Sequence, residues 1–274
     1  MSMSWQSDTA PDPVKISALG WLLIGLRTPV IGLLVIGCLL VLILFRAVER
    51  PMFGSRRPVT SYVPKYVSRV VLWVMGFRYK VTGEGMRAPG AVVANHASWL
   101  DIFTLNAAKR IVFVSKAEVA SWPGIGWLAR ATGTVFIERN RAKARDQALL
   151  FEAKLKAGQK LLFFPEGTST DGCRVLPFKT TLFAPFVSDA LRDHLAIQPV
   201  SVIYHAPKGA PARYYGWWAD MDFGANLLKI LATPRQGVIE VVFHTPLHAA
   251  DFKDRKTLAA ACQTAVHDGF YTRK

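Results

Sequence analysis

Hydrophobic residues along the chain form one long run near its start and several short runs after it. Residues 28–45, TPVIGLLVIGCLLVLILF, are eighteen positions without a charge. As a helix this run spans about 27 Å, close to the ~30 Å hydrocarbon core of a bilayer. A second apolar stretch, 16–26, precedes it, and Arg27 lies between the two. The pattern predicts an N-terminal, helical membrane anchor.

Two arrangements of this anchor fit the pattern. A charge at the centre of a bilayer costs at least ~2.5 kcal/mol, so 16–45 does not suit a single centred span. Either 28–45 crosses the membrane with Arg27 at one interface, or two apolar helices enter one leaflet. The basic residues after the run predict that the rest of the chain is cytoplasmic, because cytoplasmic flanks carry an excess of Lys and Arg. These residues are Arg46, Arg50, Arg56 and Arg57.

The remainder of the chain alternates between short apolar runs and segments with helical spacing. A proline-rich, basic stretch at 50–65 separates it from the anchor, which predicts an anchor and linker over 1–64 and a second domain over 65–274. Strands that alternate with helices predict an α/β fold with a mixed, largely parallel sheet flanked by helices. We expect helices at 66–77, 144–158 and 251–268 and a short helix within 121–133. Strands are expected at 77–84, 91–95, 110–116, 134–139, 159–165, 197–205 and 237–244.

The charge of the chain narrows the choice of partners. Hydrophobic residues make up 51% of the chain, the formal net charge is +15 and the pI is near 10.0. Nucleic acid is disfavoured as a partner because the basic residues are scattered and no recognition motif is present. Beside an apolar anchor, anionic lipid headgroups suit the charge better. Three cysteines without metal-like spacing disfavour a disulfide framework or a zinc site.

The first segment with candidate chemistry is NHASWLD, residues 95–101. On a regular helix, positions five apart lie ~140° from each other, so His96 can meet Asp101 only if it lies before the first turn. Asp101 would then accept a hydrogen bond from one ring nitrogen, and the other nitrogen could take a proton from a hydroxyl. The same residues also fit an ordinary helix start with Ser98 as its cap, so the pair alone leaves both interpretations open.

Three further segments place polar residues next to apolar strands. LLFFPEGTST delivers Glu166 and Gly167 to the carboxyl end of a strand, where α/β sheets bind ligands. Glu166 could bond a substrate hydroxyl, and Gly167 permits close backbone approach. Arg139 ends the strand GTVFIER and suits a phosphate or carboxylate, and Lys179 in LPFKTTLF could meet an anionic group. Each charge also fits a solvated surface position. The histidines lack metal-ligand spacing and no P-loop is present, so we predict no metal and no cofactor.

Together and in this order, the segments resemble the glycerolipid acyltransferase family, which includes the 1-acylglycerol-3-phosphate acyltransferases. The resemblance covers roughly residues 65 to 250. It rests on the family patterns N-H-x4-D, G-x-x-F-I-x-R and F-P-E-G-T, followed by a proline-centred motif. They are matched by Asn95, His96 and Asp101, by Gly133, Phe136, Ile137 and Arg139, by 164–168, and by Gln198, Pro199 and Val200.

The resemblance implies that 65–274 is a catalytic domain that acylates a lipid hydroxyl. His96, held by Asp101, would deprotonate the hydroxyl, which would attack the thioester of acyl carrier protein or coenzyme A. No cofactor besides this acyl donor is implied. The acceptor would bind to Glu166, Gly167, Thr168, Arg139 and Lys179.

One departure bears on the acceptor. Members that form phosphatidic acid usually read E-G-T-R-S, whereas this chain has Ser169 in place of that arginine. The run FPEGTSTDG and the later WWADMDF are more similar to the bacterial lyso-ornithine lipid acyltransferases, which implies an enzyme on the cytoplasmic side of the inner membrane. The alternative within the family is a 1-acyl-sn-glycerol-3-phosphate acyltransferase, which has a different acceptor. A non-catalytic membrane lipid-binding protein is the alternative of another kind.

Overall fold

A computed structural model describes residues 5–88, 90–138, 144–188 and 191–274. Seven helices and eight strands are found in these ranges. The helices are α1 (Ala18–Phe53), α2 (Tyr62–Met75), α3 (Asp101–Ala108), α4 (Ile125–Thr132), α5 (Ala144–Lys156), α6 (Phe223–Ala232) and α7 (Arg255–Tyr271). The strands are β1 (Arg78–Thr82), β2 (Gly90–Ala94), β3 (Val112–Lys116), β4 (Val135–Ile137), β5 (Lys160–Phe163), β6 (Ala196–His205), β7 (Val238–Phe243) and β8 (Leu247–His248).

The strands form one mixed sheet in the order β1-β7-β6-β2-β5-β3-β4, and β8 pairs with β6. Strands β2 to β6 run parallel, β7 is antiparallel to β6, and β1 is parallel to β7. The prediction of a mixed, largely parallel sheet flanked by helices is confirmed. The carboxyl ends of β2, β5 and β6 therefore meet at one edge, which we call the carboxyl edge.

Each face of the sheet is covered by a hydrophobic core. Successive residues of β2 alternate between the cores: Val92 and Ala94 belong to one, and Ala91 and Val93 to the other. This alternation is the two-residue period of a strand whose faces are both buried. Helices α1, α2, α3 and α6 supply the first core, whereas α5, α7 and a 3₁₀ helix at Thr180–Val187 supply the second.

Helix α1 is one continuous helix of 36 residues that passes through Arg27 without a break. By length and composition it could cross a membrane, but at about 54 Å it is much longer than a bilayer core. Arg27 donates to the carbonyl oxygens of Leu231 (2.7 Å) and Thr233 (2.8 Å), so its charge lies against the domain. The alternative with two separate apolar helices before residue 45 is therefore wrong.

The face of α1 turned away from the domain is apolar along its whole length. Leu33 is 77% exposed, and large apolar side chains recur on this face at helical spacing. Trp73 on α2, which packs against α1, is also 77% exposed. Contiguous patches of this size mark interaction surfaces. The exposed apolar residues on this face of α1 include Leu19, Leu22, Leu26, Val30, Leu40, Leu44, Val48 and Met52.

The predicted elements recur with small shifts, and two were missed. The helix expected to begin near His96 begins at Asp101, and Ser98 is not its N-cap, because Leu100 takes that position without a side-chain bond. Helix α6 and the short β8 were not predicted. The predicted boundary between 64 and 65 falls inside α2 and stays a prediction.

The end of α1 is fixed to the following linker by one buried carboxylate. Glu49 is 5% exposed and accepts hydrogen bonds from Arg46, from the Thr60 hydroxyl and from the amides of Val59 (2.7 Å) and Thr60 (3.1 Å). These bonds turn the linker back onto the helix.

Replacing Glu49 by Gln should therefore destabilise the protein by about 1–3 kcal/mol, because an amide nitrogen cannot accept these bonds. Chemical denaturation in detergent measures the change. Glu152→Gln is the matched control, since Glu152 pairs with the largely exposed Lys156, and this variant should lose less than about 1 kcal/mol. Equal stability of the two variants would contradict the assigned role of Glu49.

Candidate active site

The carboxyl edge of the sheet brings His96 and Asp101 together. β2 ends at Ala94 and α3 begins at Asp101, so His96 lies on the corner between them. The distance from His96 Nδ1 to Asp101 Oδ2 is 2.7 Å. The spacing argument that placed His96 before the first helical turn is confirmed by this geometry.

Asp101 is fully buried and receives four hydrogen bonds. Oδ2 accepts from His96 Nδ1 and from the amides of Ala97 (2.8 Å) and Ser98 (3.0 Å), and Oδ1 accepts from the Tyr204 hydroxyl (2.6 Å). An ionised carboxylate can only accept hydrogen bonds, so His96 carries its proton on Nδ1 when it bonds Asp101. Nε2 is then the nitrogen with a free lone pair.

The imidazole ring is held flat but remains accessible. It stacks on Phe164, with ring centroids 4.0 Å apart and an interplanar angle of 11°. The side chain is still 21% exposed. An oriented ring with one open nitrogen suits proton transfer to or from a bound hydroxyl.

Glu166 lies behind His96 and faces the backbone. It is 2% exposed, and its two oxygens accept from the amides of His96 (2.7 Å) and Leu176 (2.9 Å). The carbonyl oxygen of His96 is bonded in turn by Thr170, through its amide (3.0 Å) and hydroxyl (3.2 Å). Glu166 thus positions the histidine, and its predicted direct bond to a substrate stays a prediction.

The pKa of Glu166 is raised to about 8, chiefly by burial and also by the charge of Asp101. The hydrogen bonds from the amides of Leu176 and His96 act in the opposite direction. Burial also raises the pKa of the Tyr204 hydroxyl well above its usual range, and the charge of Asp101 adds to this rise. Tyr204 therefore keeps its proton and remains a donor to Asp101.

Lys179 lies beside Gly167 on the loop after β5. Its amide donates to the carbonyl oxygen of Pro165 at 2.8 Å. Gly167 has a φ of +73°, and a Cβ at this position would lie 2.6 Å from Lys179 Nζ. Any larger residue would strain the backbone and displace the ammonium group. The two predicted site residues are thus brought together.

The first described residues of the chain lie against the same loop. The Trp5 amide approaches Thr168 Oγ1 at 3.4 Å, and the Ser7 hydroxyl donates to Asp171 at 3.3 Å. The Arg174 guanidinium lies 5.1 Å from the centre of the Trp5 ring. This contact was not predicted, because residues 163 positions apart leave no local signal.

The other motif residues support the site from within the fold. Asn95 is buried, and its amide group bonds both the amide (2.8 Å) and the carbonyl (2.9 Å) of Val202, which ties β2 to β6. Gln198 fixes Met86, Glu84 and His244 through backbone bonds. Arg139 lies outside the described residues, so its predicted role stays a prediction.

Comparison with known proteins identifies the family of this chain. A protein-family model described as Acyltransferase matches residues 78–203. The lyso-ornithine lipid O-acyltransferase of Rhodobacter capsulatus is 51% identical over 269 residues, 98% of each chain. This chain belongs to the acyltransferase family.

Other relatives of this acyltransferase are named for two different acceptor lipids. The lyso-ornithine lipid O-acyltransferase of Brucella abortus is 37% identical and covers 74% of this chain and 80% of its own length. The 1-acyl-sn-glycerol-3-phosphate acyltransferase of Neisseria gonorrhoeae is 34% identical and covers 64% of this chain and 67% of its own.

The fold of the acyltransferase has a solved counterpart. The crystal structure of the 1-acyl-sn-glycerophosphate (LPA) acyltransferase PlsC from Thermotoga maritima matches with a TM-score of 0.55, covering 89% of this chain and 95% of that one. At 23% sequence identity the likeness concerns the fold alone.

Tyr204→Phe should lower kcat about tenfold without unfolding the enzyme, because Asp101 loses one charged hydrogen bond and holds His96 less firmly. Steady-state kinetics with a fixed lyso-lipid acceptor measures the effect. Tyr214→Phe is the control, since it removes only a bond to Thr233 (2.8 Å). Equal kcat values for both variants would show that Tyr204 does not act through Asp101.

Glu166 should make stability depend on pH. Its folded-state pKa of about 8 exceeds the ordinary value of 4.5, so the folded chain holds a proton that the unfolded chain releases between these values. The contribution of Glu166 to stability therefore falls as the pH rises from about 4.5 to about 8. The thermal midpoint of the wild type should decline over this interval relative to Glu166→Gln. Parallel curves, with Glu152→Gln as reference, would contradict the raised pKa.

Proposed function

We propose that this acyltransferase moves a fatty acyl group from an acyl thioester to the hydroxyl of lyso-ornithine lipid. The thioester belongs to acyl carrier protein or coenzyme A. The observation that carries the choice of acceptor is the 51% identity with a lyso-ornithine lipid O-acyltransferase over 98% of both chains. The choice of chemistry is supported by the hydrogen bond between His96 and Asp101.

In the proposed step, His96 Nε2 takes the proton of the acceptor hydroxyl as its oxygen attacks the thioester carbonyl carbon. The new carbon–oxygen bond forms the ester, the carbon–sulfur bond breaks, and the leaving thiolate takes the proton from His96. Asp101 keeps the ring oriented and stabilises the imidazolium formed in between. The proposed step uses no cofactor besides the acyl donor.

The acceptor headgroup is proposed to lie on the loop after β5. Lys179 and Arg139 would supply positive charge for its carboxylate. Gly167 would permit close backbone approach, and Thr168 would supply a hydroxyl. Lys179 supports this role by its position beside Gly167. Glu166 would act mainly by holding His96, given its two backbone partners.

Membrane association is proposed to occur through the exposed apolar face of α1, on the cytoplasmic side of the inner membrane. Both ends of α1 contact the domain: Gly20 lies against Ala232, and Arg57 just after the helix donates to Ala131 at 2.8 Å. A helix held at both ends would draw the domain into the hydrocarbon if it crossed the bilayer. Lying in one leaflet, it exposes its apolar face to lipid without that cost.

A second acceptor, 1-acyl-sn-glycerol-3-phosphate, is favoured by the Neisseria relative, which carries that name. The residue at 169 weighs against it. Ser169 stands where phosphatidic-acid-forming members usually have an arginine, and a neutral hydroxyl attracts a phosphate far less than a guanidinium does.

His96→Ala should lower acyl transfer to lyso-ornithine lipid by about 10²–10⁴-fold, the usual effect of losing a general base. We would measure the product by mass spectrometry, with purified protein in detergent and labelled acyl-acyl carrier protein as donor. His267→Ala is the control, because His267 is exposed on α7. Full activity of His96→Ala would refute the enzyme mechanism, and transfer to lysophosphatidic acid alone would refute the acceptor.

Ser169→Arg should increase the rate with lysophosphatidic acid relative to lyso-ornithine lipid by about tenfold, because one charged hydrogen bond to phosphate is restored. Competition between the two acceptors in one reaction gives the ratio directly. Ser169→Gln provides similar bulk without charge and should leave the ratio unchanged. A ratio that moves equally in both variants would show that size, not charge, acts at this position.

A further inference from the structure

A cavity lies at the edge of the sheet opposite to His96. It has a volume of about 660 Å³ and opens where β2, β3 and β5 begin. From Gly90 at the start of β2 to His96 is six residues, or about 20 Å of extended chain. A ligand in this cavity therefore cannot be the acyl acceptor at His96.

The walls of the cavity are strongly cationic. Among its described lining residues seven are basic and none is acidic. Four come from the start of the strands and the loops before them: Arg87, Lys109, Arg110 and Lys160. Three come from the linker after α1 and the start of α2: Arg56, Arg57 and Lys65.

The partners seen for these cations are neutral. Lys109 donates to the carbonyl oxygen of Gly85 (2.8 Å), Lys160 to that of Arg87 (3.2 Å), and Arg57 to that of Ala131 (2.8 Å). None of the ion pairs recorded for the described residues includes a cation of this cavity. The Glu49 carboxylate acts on Arg57 from outside the cavity, so the seven cations outnumber the negative charge found beside them among the described residues.

Burial lowers the pKa of Lys109, and the neighbouring charges of Lys160, Lys65 and Arg110 lower it further. Burial and Arg110 act on Lys160 in the same direction. The folded chain thus holds these cations together against their mutual repulsion, which an anionic ligand would relieve.

The rim of the cavity adjoins the apolar face of α1. Phe53 at the end of α1 and Tyr62 at the start of α2 both line the cavity, and both are at least 40% exposed. Tyr66 stacks on Tyr62 and is 55% exposed. Aromatic residues with this placement are typical of the headgroup level of a membrane. The Arg110 guanidinium lies 4.2 Å from the centre of the Tyr62 ring and joins the aromatic rim to the cationic wall.

We propose that this cavity binds the phosphodiester headgroup of an anionic membrane phospholipid at a site separate from the active site. Basic pockets next to membrane-embedded helices on the cytoplasmic side bind such headgroups, and the volume suits a ligand of that size. The proposal rests on the proposed position of α1 at the membrane and is independent of which lyso-lipid is acylated. Anionic lipid would thereby seat the enzyme on the bilayer without being its substrate.

Binding of short-chain phosphatidylglycerol to the full-length protein in detergent tests this, with native mass spectrometry as the readout. We expect phosphatidylglycerol to bind and phosphatidylcholine not to bind. Lys109→Gln combined with Lys160→Gln should weaken binding about thirtyfold, because each cation contributes about fivefold to the affinity for an anionic headgroup. Lys65→Gln combined with Arg87→Gln is a second cavity variant, in which Lys109 and Lys160 are unchanged. Lys208→Gln with Lys256→Gln, on exposed lysines outside the cavity, should bind like the wild type.

Three results would overturn the proposal. The first is equal binding of phosphatidylglycerol to the cavity variants and the control variant. The second is displacement of the lipid by inorganic phosphate at equal concentration, which would assign the site to free phosphate. The third is loss of acyl carrier protein binding in the cavity variants with lipid binding intact, which would make the cavity a protein-docking surface. Because the readout is binding, a failure of the proposed acyl transfer would not affect it.

Discussion

The active site depends on one buried carboxylate. Asp101 has no exposed surface, yet its charge is shared among the His96 ring, two backbone amides and the Tyr204 hydroxyl. A buried carboxylate without such donors would cost several kcal/mol. The same four bonds that make its burial tolerable also shape the corner between β2 and α3 and set the direction of the histidine. The hydrogen bonds of Asp101 thus both stabilise the corner and orient the His96 ring.

The parallel strands divide the molecule into two edges with different tasks. At the carboxyl edge, His96 follows the end of β2 and Glu166 follows the end of β5. The side chains of Asp101 and Glu166 there each accept at least two hydrogen bonds. At the opposite edge, the starts of the strands and the linker after α1 gather basic residues around a cavity. Gly20 near the start of α1 lies against Ala232, and Arg57 just after its end bonds Ala131. In the proposed arrangement, the apolar face of α1 would hold both edges near one membrane.

Local patterns in the sequence predicted most of the fold, because strands buried on both faces appear as unbroken apolar runs. The pairing of His96 with Asp101 was also predictable, since five residues across a strand–helix corner bring the side chains together. Contacts between distant segments were not: Tyr204 reaches Asp101 from 103 positions away, and nothing in its neighbourhood marks it. The hydrogen bonds of Glu166 to the amides of His96 and Leu176 were not predictable either, because its burial depends on the packed fold. Within the segment 217–223, Trp218 is buried at 4% exposure, whereas Asp220 and Asp222 are exposed.

The central claim is that Asp101 holds His96 with its proton on Nδ1, which leaves Nε2 to act as the base. The side-chain ¹⁵N spectrum of uniformly labelled protein in detergent reports this directly, with the His96 signals identified by their loss in His96→Gln. At a pH where the ring is neutral, we expect a protonated Nδ1 and an unprotonated Nε2. A neutral ring protonated on Nε2 would contradict the account, because that nitrogen could not then accept a proton from the acceptor hydroxyl.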